Sequence, residues 1–378
     1  MSSKKPTEPW RAEPHTLAKI AILKTYLESW FSIFGISRKG QDVLYIDGFA
    51  GPGIYAEGEN GSPVEALIAS AKISGSPLWK GGKINCAFIE SNRSIFSILK
   101  ERIAPFLSNS KLSIKVYNNT FIEGFNTLKM DLPQFFSSEL PLFAFIDPFG
   151  PSGAPFSIVK EILSSPTSEV LINFDSDGLA RIYKLYTSGK DNGSAENILN
   201  LAFGDKSWQS VPVAELSKHS FKNIAPLMME LYKEKLFQLP NVKYVFPFEM
   251  RDKNDQHSYY LIFASQHHLG LEKMKVAMKK IDQTGDYRFS DARVDQEVLF
   301  KYDDVTETAR LLYEHFLERK VLWEEIRLYT LNHTPFVNPK SMLSILEKKD
   351  VIKVYPENPK RRKGTFPDGT VKSIEFLS

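Results

Sequence analysis

Five short apolar runs, each halted by a polar residue and separated by helical patterns, constrain this chain most. They lie at residues 43–46, 86–89, 112–117, 142–146 and 169–174, and they stop at Asp47, Glu90, Asn118, Asp147 and Asp175. Such alternation predicts parallel βαβ units in a doubly wound sheet with both faces covered. Ligands of such sheets sit outside the carboxyl ends of the strands, so the residues that stop the runs are the first candidates for a site. The first run, VLYIDGFAGPG, is the most distinctive. After Asp47 come Gly48, Phe49, Ala50, Gly51, Pro52 and Gly53, small residues that let a backbone turn sharply and approach a ligand where a Cβ would intervene. Phe49 and Pro52 break the G-x-G-x-x-G spacing of dinucleotide folds. The competing reading is a plain strand–turn–helix junction with Asp47 as a cap.

The segment looks like the first motif of S-adenosylmethionine (SAM) methyltransferases, in which the acid faces the methionine ammonium. Glu90, ending the second run, is placed to accept hydrogen bonds from ribose hydroxyls. A Gly- and Ser-rich stretch over residues 57–83, holding one helical pattern at 63–73, lengthens the interval between the two acids. Asn118 and Asn119 offer amides to an adenine edge, or are ordinary turn residues. The fourth run ends in Asp147-Pro148-Phe149-Gly150, which resembles the acid–Pro–Pro–aromatic motif of methyltransferases acting on exocyclic amino groups. It is closer still to the Asp-Pro-Phe-Gly form of a tRNA guanine-N2 methyltransferase family. A conjugated amino group needs acceptors to draw its nitrogen toward tetrahedral geometry. Asp147 and the Pro148 carbonyl are expected to supply them, with Phe149 stacked on the base. The alternative is a strand-ending turn, since Asp-Pro and Phe-Gly are turn-prone.

The bulk numbers exclude several classes. With 42% hydrophobic and 25% charged residues over 378 positions, the composition is globular. No apolar run reaches the 18 residues a membrane-spanning helix needs, and the first 16 residues lack an apolar signal core. The single cysteine, Cys86, lies within a predicted strand and forms no internal disulfide, which points to the cytoplasm and to a structural thiol. His267-His268 is an isolated pair, so no metal site is expected. The net charge of +3 is uneven: residues 340–378 hold nine Lys/Arg and five Asp/Glu, an excess of four, leaving −1 for the first 339. A basic tail on a near-neutral body points to a local polyanion contact.

Residues 16–34 form an amphipathic pattern that is expected to pack over the sheet or cover the site. Residues 179–240 read as a helical insertion, and residues 242–250 and 258–265 as a late, antiparallel strand pair closing the sheet, followed by a helix at 271–281. The whole of residues 1–300 is then one α/β domain, a doubly wound, Rossmann-like class I methyltransferase sheet. Residues 305–378 form a second domain, with helices at 306–318 and 322–331 and a third capped by Asn338 with Pro339 in its first position. Strands at 351–355 and 371–376 complete a winged helix-turn-helix. Lys340, Lys348 and Lys349 are expected on or near its recognition helix and Lys360, Arg361, Arg362 and Lys363 on its wing, as nucleic-acid contacts. Winged helices also serve as protein-contact modules.

Together these residues resemble the bacterial and phage three-Cys-motif partner family, TcmP, through LAKIAILKTYLESW, YIDGFAGPGIYAEGENGSPVEAL, FIDPFGPSGAPF, LINF and SYYLIFASQHHLGLEKMK. The resemblance implies a methyltransferase-like fold, SAM as cofactor and an operon partner carrying a three-cysteine motif of radical-SAM type. One expectation is therefore a SAM-dependent methyltransferase acting on an exocyclic amino group of a DNA or RNA base. The others are a non-catalytic accessory or DNA-targeting subunit, and a base-hypermodifying enzyme whose partner supplies radicals.

Overall fold

The structure, a computed structural model, describes residues 8–37, 39–212, 224–254, 258–283, 285, 287–294, 305–357 and 360–378. The chain divides into two units: Met1–Ile281 with Arg288–Gln296, and Asp282–Tyr287 with Glu297–Ser378. The boundary therefore interleaves, whereas the sequence reading drew a single cut near residue 300.

The larger unit opens with helix α1 (Pro14–Ser37), then runs β1 (Val43–Asp47), α2 (Ser62–Ser74), β2 (Ile84–Ile89), α3 (Arg93–Ile103), β3 (Leu112–Tyr117), α4 (Phe121–Asp131), the single-turn α5 (Gln134–Ser137), β4 (Leu142–Ile146), α6 (Phe156–Ser164) and β5 (Ser168–Phe174). The helical stretch that follows holds α7 (Ser176–Thr187), α8 (Ser194–Phe203) and α9 (Ile224–Phe237). β6 (Tyr244–Arg251), β7 (Ser258–Ser265), α10 (His268–Ile281) and β8 (Arg288–Ser290) complete it. The strands form one sheet in the order β3-β2-β1-β4-β5-β7-β6-β8. β7 runs antiparallel to both of its neighbours, and the other strand pairs of this sheet are parallel among the described residues. This is a mixed α/β, parallel-dominated, doubly wound sheet of Rossmann-like type. β8, a three-residue edge strand beside β6, was not expected from the sequence.

Every residue of β1 and β4 is buried, as a central parallel pair covered on both faces requires. The chain runs outward from β1 to β3 and then returns to place β4 on the other side of β1, so the carboxyl ends of β1 and β4 flank the switch point of the winding. α1 packs against α2 and α10. Its Tyr26 and Trp30 meet Phe143 of β4 edge-on or tilted, at 5.0 and 6.0 Å between ring centroids. Among the described residues no helix is long and apolar enough to cross a membrane.

The smaller unit holds α11 (Val305–Phe316), β9 (Lys320–Leu322), α12 (Trp323–His333), α13 (Lys340–Lys348), β10 (Ile352–Pro356) and β11 (Val371–Phe376). Its core joins Leu312, Phe316, Ile326, Met342, Leu346, Ile374 and Phe376. The sheet is antiparallel in the order β10-β11-β9, one strand more than the expected hairpin. Pro339 occupies the N-cap of α13 instead of its first turn, and the Asn338 side chain accepts from the Lys340 amide at 3.1 Å.

Candidate active site

At the carboxyl ends of β1, β4 and β5 lies a cavity of about 350 Å³. The turn after β1 supplies Phe49, Ala50, Gly51 and Gly53; the turn after β4 supplies Asp147, Pro148 and Phe149; Asn173 and Asp175 come from the end of β5. The first turns of α1 contribute His15, Thr16 and Lys19, and β7 contributes Tyr259. α1 thus does both things considered for it: its middle packs on the sheet while its start walls the cavity.

Strand register decides which acids reach this space. Asp47 pairs in level with Phe88 and Phe145, two residues short of Glu90 and Asp147. It is therefore sunk in the sheet, with 0% of its surface exposed, and it does not line the cavity. Burial raises its carboxyl to about 7, against the opposing hydrogen bonds of Ser62 and the Phe49 amide. Asp47, expected to face a ligand cation, lies beneath the loop and accepts from its Phe49 amide at 3.3 Å. Gly48 is equally internal, packed so that a Cβ would stand 2.6 Å from the Phe121 ring.

Glu90 is 8% exposed and also turned inward, accepting from the Gly51 amide at 3.1 Å and the Asn92 amide at 2.6 Å. Asn118 donates to the Glu90 carbonyl at 2.8 Å, so its amide fastens the end of β3 to that of β2. Glu90, Asn118 and Asn119 lie outside the cavity lining.

The loop between β1 and α2 is shaped by its glycines. Gly51 and Gly53 take φ of 62° and 74°, a region that side chains disfavour. Gly61 lies against Gly53, donating to its carbonyl at 2.8 Å, and a Cβ on Gly61 would stand 2.9 Å from the Gly53 carbonyl carbon. Residues 54–60 fold back on themselves through the Ile54–Asn60 bridge.

Asp147 is the charged centre of the cavity. Its Oδ1 accepts from Lys19 Nζ at 2.8 Å and Asn173 Nδ2 at 2.5 Å, and its Oδ2 accepts from Lys19 Nζ at 2.7 Å. The carboxylate offers about four acceptor positions, so one remains, on Oδ2. Asn173 stands beside Asp147 because Ile146 and Ile172 are in register, and its Oδ1 is buried without a hydrogen-bond partner. The Tyr259 hydroxyl is likewise buried and unpartnered, its phenol held far above the usual range by burial and by Asp147 and Asp291. The Pro148 carbonyl, expected to face an acceptor, instead takes the Gly150 amide at 3.1 Å. Asn173, Lys19, His15 and Tyr259 were not expected at the site, because strand register and the approach of α1 bring them there.

Aromatic rings rim the opening. Phe149 is 75% exposed and meets Trp10 edge-on at 5.8 Å, while Trp10 meets Tyr55 edge-on at 6.1 Å. Among the described residues no group of three or more His, Cys, Asp or Glu is placed to hold a metal.

In the smaller unit the expected nucleic-acid contacts are partly spent internally. Arg361 is corrected: its side chain is 7% exposed, paired with Glu347 and set over the Phe366 ring at 4.7 Å, so it holds the hairpin to α13. Lys340 pairs with Asp368 at 2.9 Å and Lys363 with Asp350. Lys348, Lys349 and Arg362 are exposed and form no ion pair among the described residues. Lys360 is exposed as well.

No protein-family model matches the chain, and no curated protein matches it. Among solved structures, the O-methyltransferase TomG of Streptomyces achromogenes, in complex with SAM, is 13% identical over 68% of this chain and 92% of its own, with a TM-score of 0.34. An O-methyltransferase from Bacillus cereus in complex with SAH is 11% identical over 64% and 80%, with a TM-score of 0.33. The delta-N METTL16 MTase domain is 13% identical over 71% and 89%, with a TM-score of 0.32. At these scores the superpositions carry no weight for chemistry or cofactor; strand order and register define the fold.

Proposed function

We propose that the chain is a SAM-dependent methyltransferase that modifies an exocyclic amino group of a nucleic-acid base. The observation that carries this reading is that Asp147 and Asn173, joined by Asn173 Nδ2 donating to Asp147 Oδ1, end adjacent strands in the cavity wall with Asp147 Oδ2 and Asn173 Oδ1 left as acceptors, beneath an aromatic rim. An amino group has two N–H donors, and these are two acceptors in one cavity. Phe149, with Trp10 and Tyr55, suits a flat ring drawn out of its stack.

The residues present fit the cofactor at the turn after β1: Gly51 and Gly53 line the cavity with positive φ, and a Cβ on Gly51 would point toward Trp10 of the same wall at 3.7 Å. When bound, SAM supplies a methyl group on a positively charged sulfur. Lys19 and Asn173 fix the Asp147 carboxylate, which orients the acceptor amine. The smaller unit, read as a winged helix, docks the polymer through Lys348, Lys349, Lys360 and Arg362. An accessory role beside a three-Cys-motif partner is a second reading, favoured by the Lys19 pair, which already fills two acceptor positions of Asp147.

The test is methyl transfer from tritiated SAM to DNA and to tRNA. Asp147→Asn keeps the shape but weakens acceptance, and transfer is expected to fall by about a hundredfold with SAM affinity unchanged. Near-wild-type transfer by that variant would reduce the Asp-Pro-Phe-Gly segment to a turn, and no transfer by the wild type to either polymer would favour the accessory role.

A further inference from the structure

Amino-group methylation leaves a proton to be removed, and Asp147 is poorly placed to take it. Lys19 holds both of its oxygens with an ammonium at 2.7 and 2.8 Å and Asn173 takes a third position, so the one position left is spent on orienting the acceptor amine. The other ionisable groups on the cavity wall are His15, Tyr55, Asp175 and Tyr259. Asp175 is occupied as the cap of α7, accepting from the Gly178 amide at 2.8 Å. Both tyrosines are phenols whose protons burial holds in place, and they offer no basic site. His15 remains.

Its geometry is that of an oriented base. His15 Nδ1 lies 2.6 Å from Asp291 Oδ2, in the turn that follows β8. A carboxylate accepts, so Nδ1 carries the proton and Nε2 is left bare. The Asp291 side chain is 5% exposed, and its Oδ1 is buried with no hydrogen-bond partner among the described residues. The groups facing His15 are Asp291, the Tyr259 ring edge-on at 5.7 Å, and Lys19 one turn along α1, itself tied to Asp147.

We propose that His15 takes the proton released by the acceptor amine, with Asp291 as its positioning residue; the role rests on the amino-methyltransferase reading above. The acceptor nitrogen gains a bond to the methyl carbon as the carbon–sulfur bond breaks and its electron pair stays on sulfur, which becomes a neutral thioether. The nitrogen, now positively charged, loses one proton to His15 Nε2, and His15 returns it to water. Neither His15 nor Asp291 stands near the strand-end motifs in sequence, and a three-residue edge strand delivers the second of them.

The experiment has two arms on the full chain. In the first, ¹⁵N-histidine NMR without ligand reads the His15 tautomer: the wild type is expected to show protonated Nδ1 and bare Nε2, a preference lost in Asp291→Asn. In the second, transfer from tritiated SAM to unmodified tRNA and duplex DNA is followed against pH. His15→Gln is expected to lower transfer by about a hundredfold, the range of one general base, and to erase the acid limb, with SAM affinity within twofold of wild type. Asp291→Asn should lower transfer as well, because the ring loses the carboxylate that orients it. An Nε2-protonated tautomer in the wild type, or wild-type transfer with an unchanged acid limb in His15→Gln, would overturn the proposal. No transfer by the wild type, with the expected tautomer present, would defeat the methyltransferase reading and the proton role with it while leaving the His15–Asp291 pair established.

Discussion

Asp47 and Asp147 look alike in the sequence, each an acid closing an apolar run before a small-residue turn, yet they do different work. Register separates them: two residues of depth bury Asp47 and leave Asp147 in the cavity wall. Acids at strand ends are legible in a sequence; their depth is not, because it depends on how neighbouring strands align. The consequence is a measurable pH dependence. Asp47 ionises near 3.8 when unfolded and at about 7 in the fold, so the native state keeps a proton that the unfolded chain has lost. Its contribution is neutral below pH 4, grows more unfavourable between pH 4 and 7, and is constant above. About three pH units correspond to roughly 4 kcal/mol. Asp47→Asn is thus expected to be more stable than wild type in urea unfolding at pH 8, by about 2–4 kcal/mol, with the gap closing at pH 4. A variant less stable at pH 8 would mean that the charged carboxylate is well held by its partners.

Elements buried on both faces were the easiest to read. Residues 112–117, 142–146 and 258–265 are strands with the ends their apolar runs imply, and the helical stretch after residue 175 breaks where polar residues accumulate. The three-residue strands β8 and β9 were missed because so short a segment has no period; in β9 only Val321 is buried. The wing illustrates a second gap. A Lys-Arg-Arg-Lys run reads as a solvated cationic face, but Arg361 points inward to Glu347, whose side chain is 9% exposed. Removing one partner of such a pair leaves a buried charge uncompensated, at a cost of about 3–5 kcal/mol. Arg361→Ala is expected to unfold the smaller unit at markedly lower denaturant while Arg362→Ala changes its stability by less than about 0.5 kcal/mol. Equal midpoints for the two variants, followed by fluorescence of Trp323, would show that Arg361 is a surface residue after all.

At the scale of the molecule, each unit has a core of its own, and the cavity belongs wholly to the larger one. The winding order brings the ends of β1 and β4 together although almost a hundred residues separate them, with α1 closing the space from the amino-terminal side. The proposed function depends first on SAM binding in this cavity against the glycine loop. Calorimetric titration of the full chain with SAM tests it most directly, with Gly61→Ala as the comparison, since its new Cβ would press on the Gly53 backbone from behind. One site per chain is expected, with a Kd of about 100 µM or tighter, weakened at least about tenfold in a Gly61→Ala protein that remains folded. No binding by the wild type at millimolar SAM, or equal affinity in the two proteins, would contradict it.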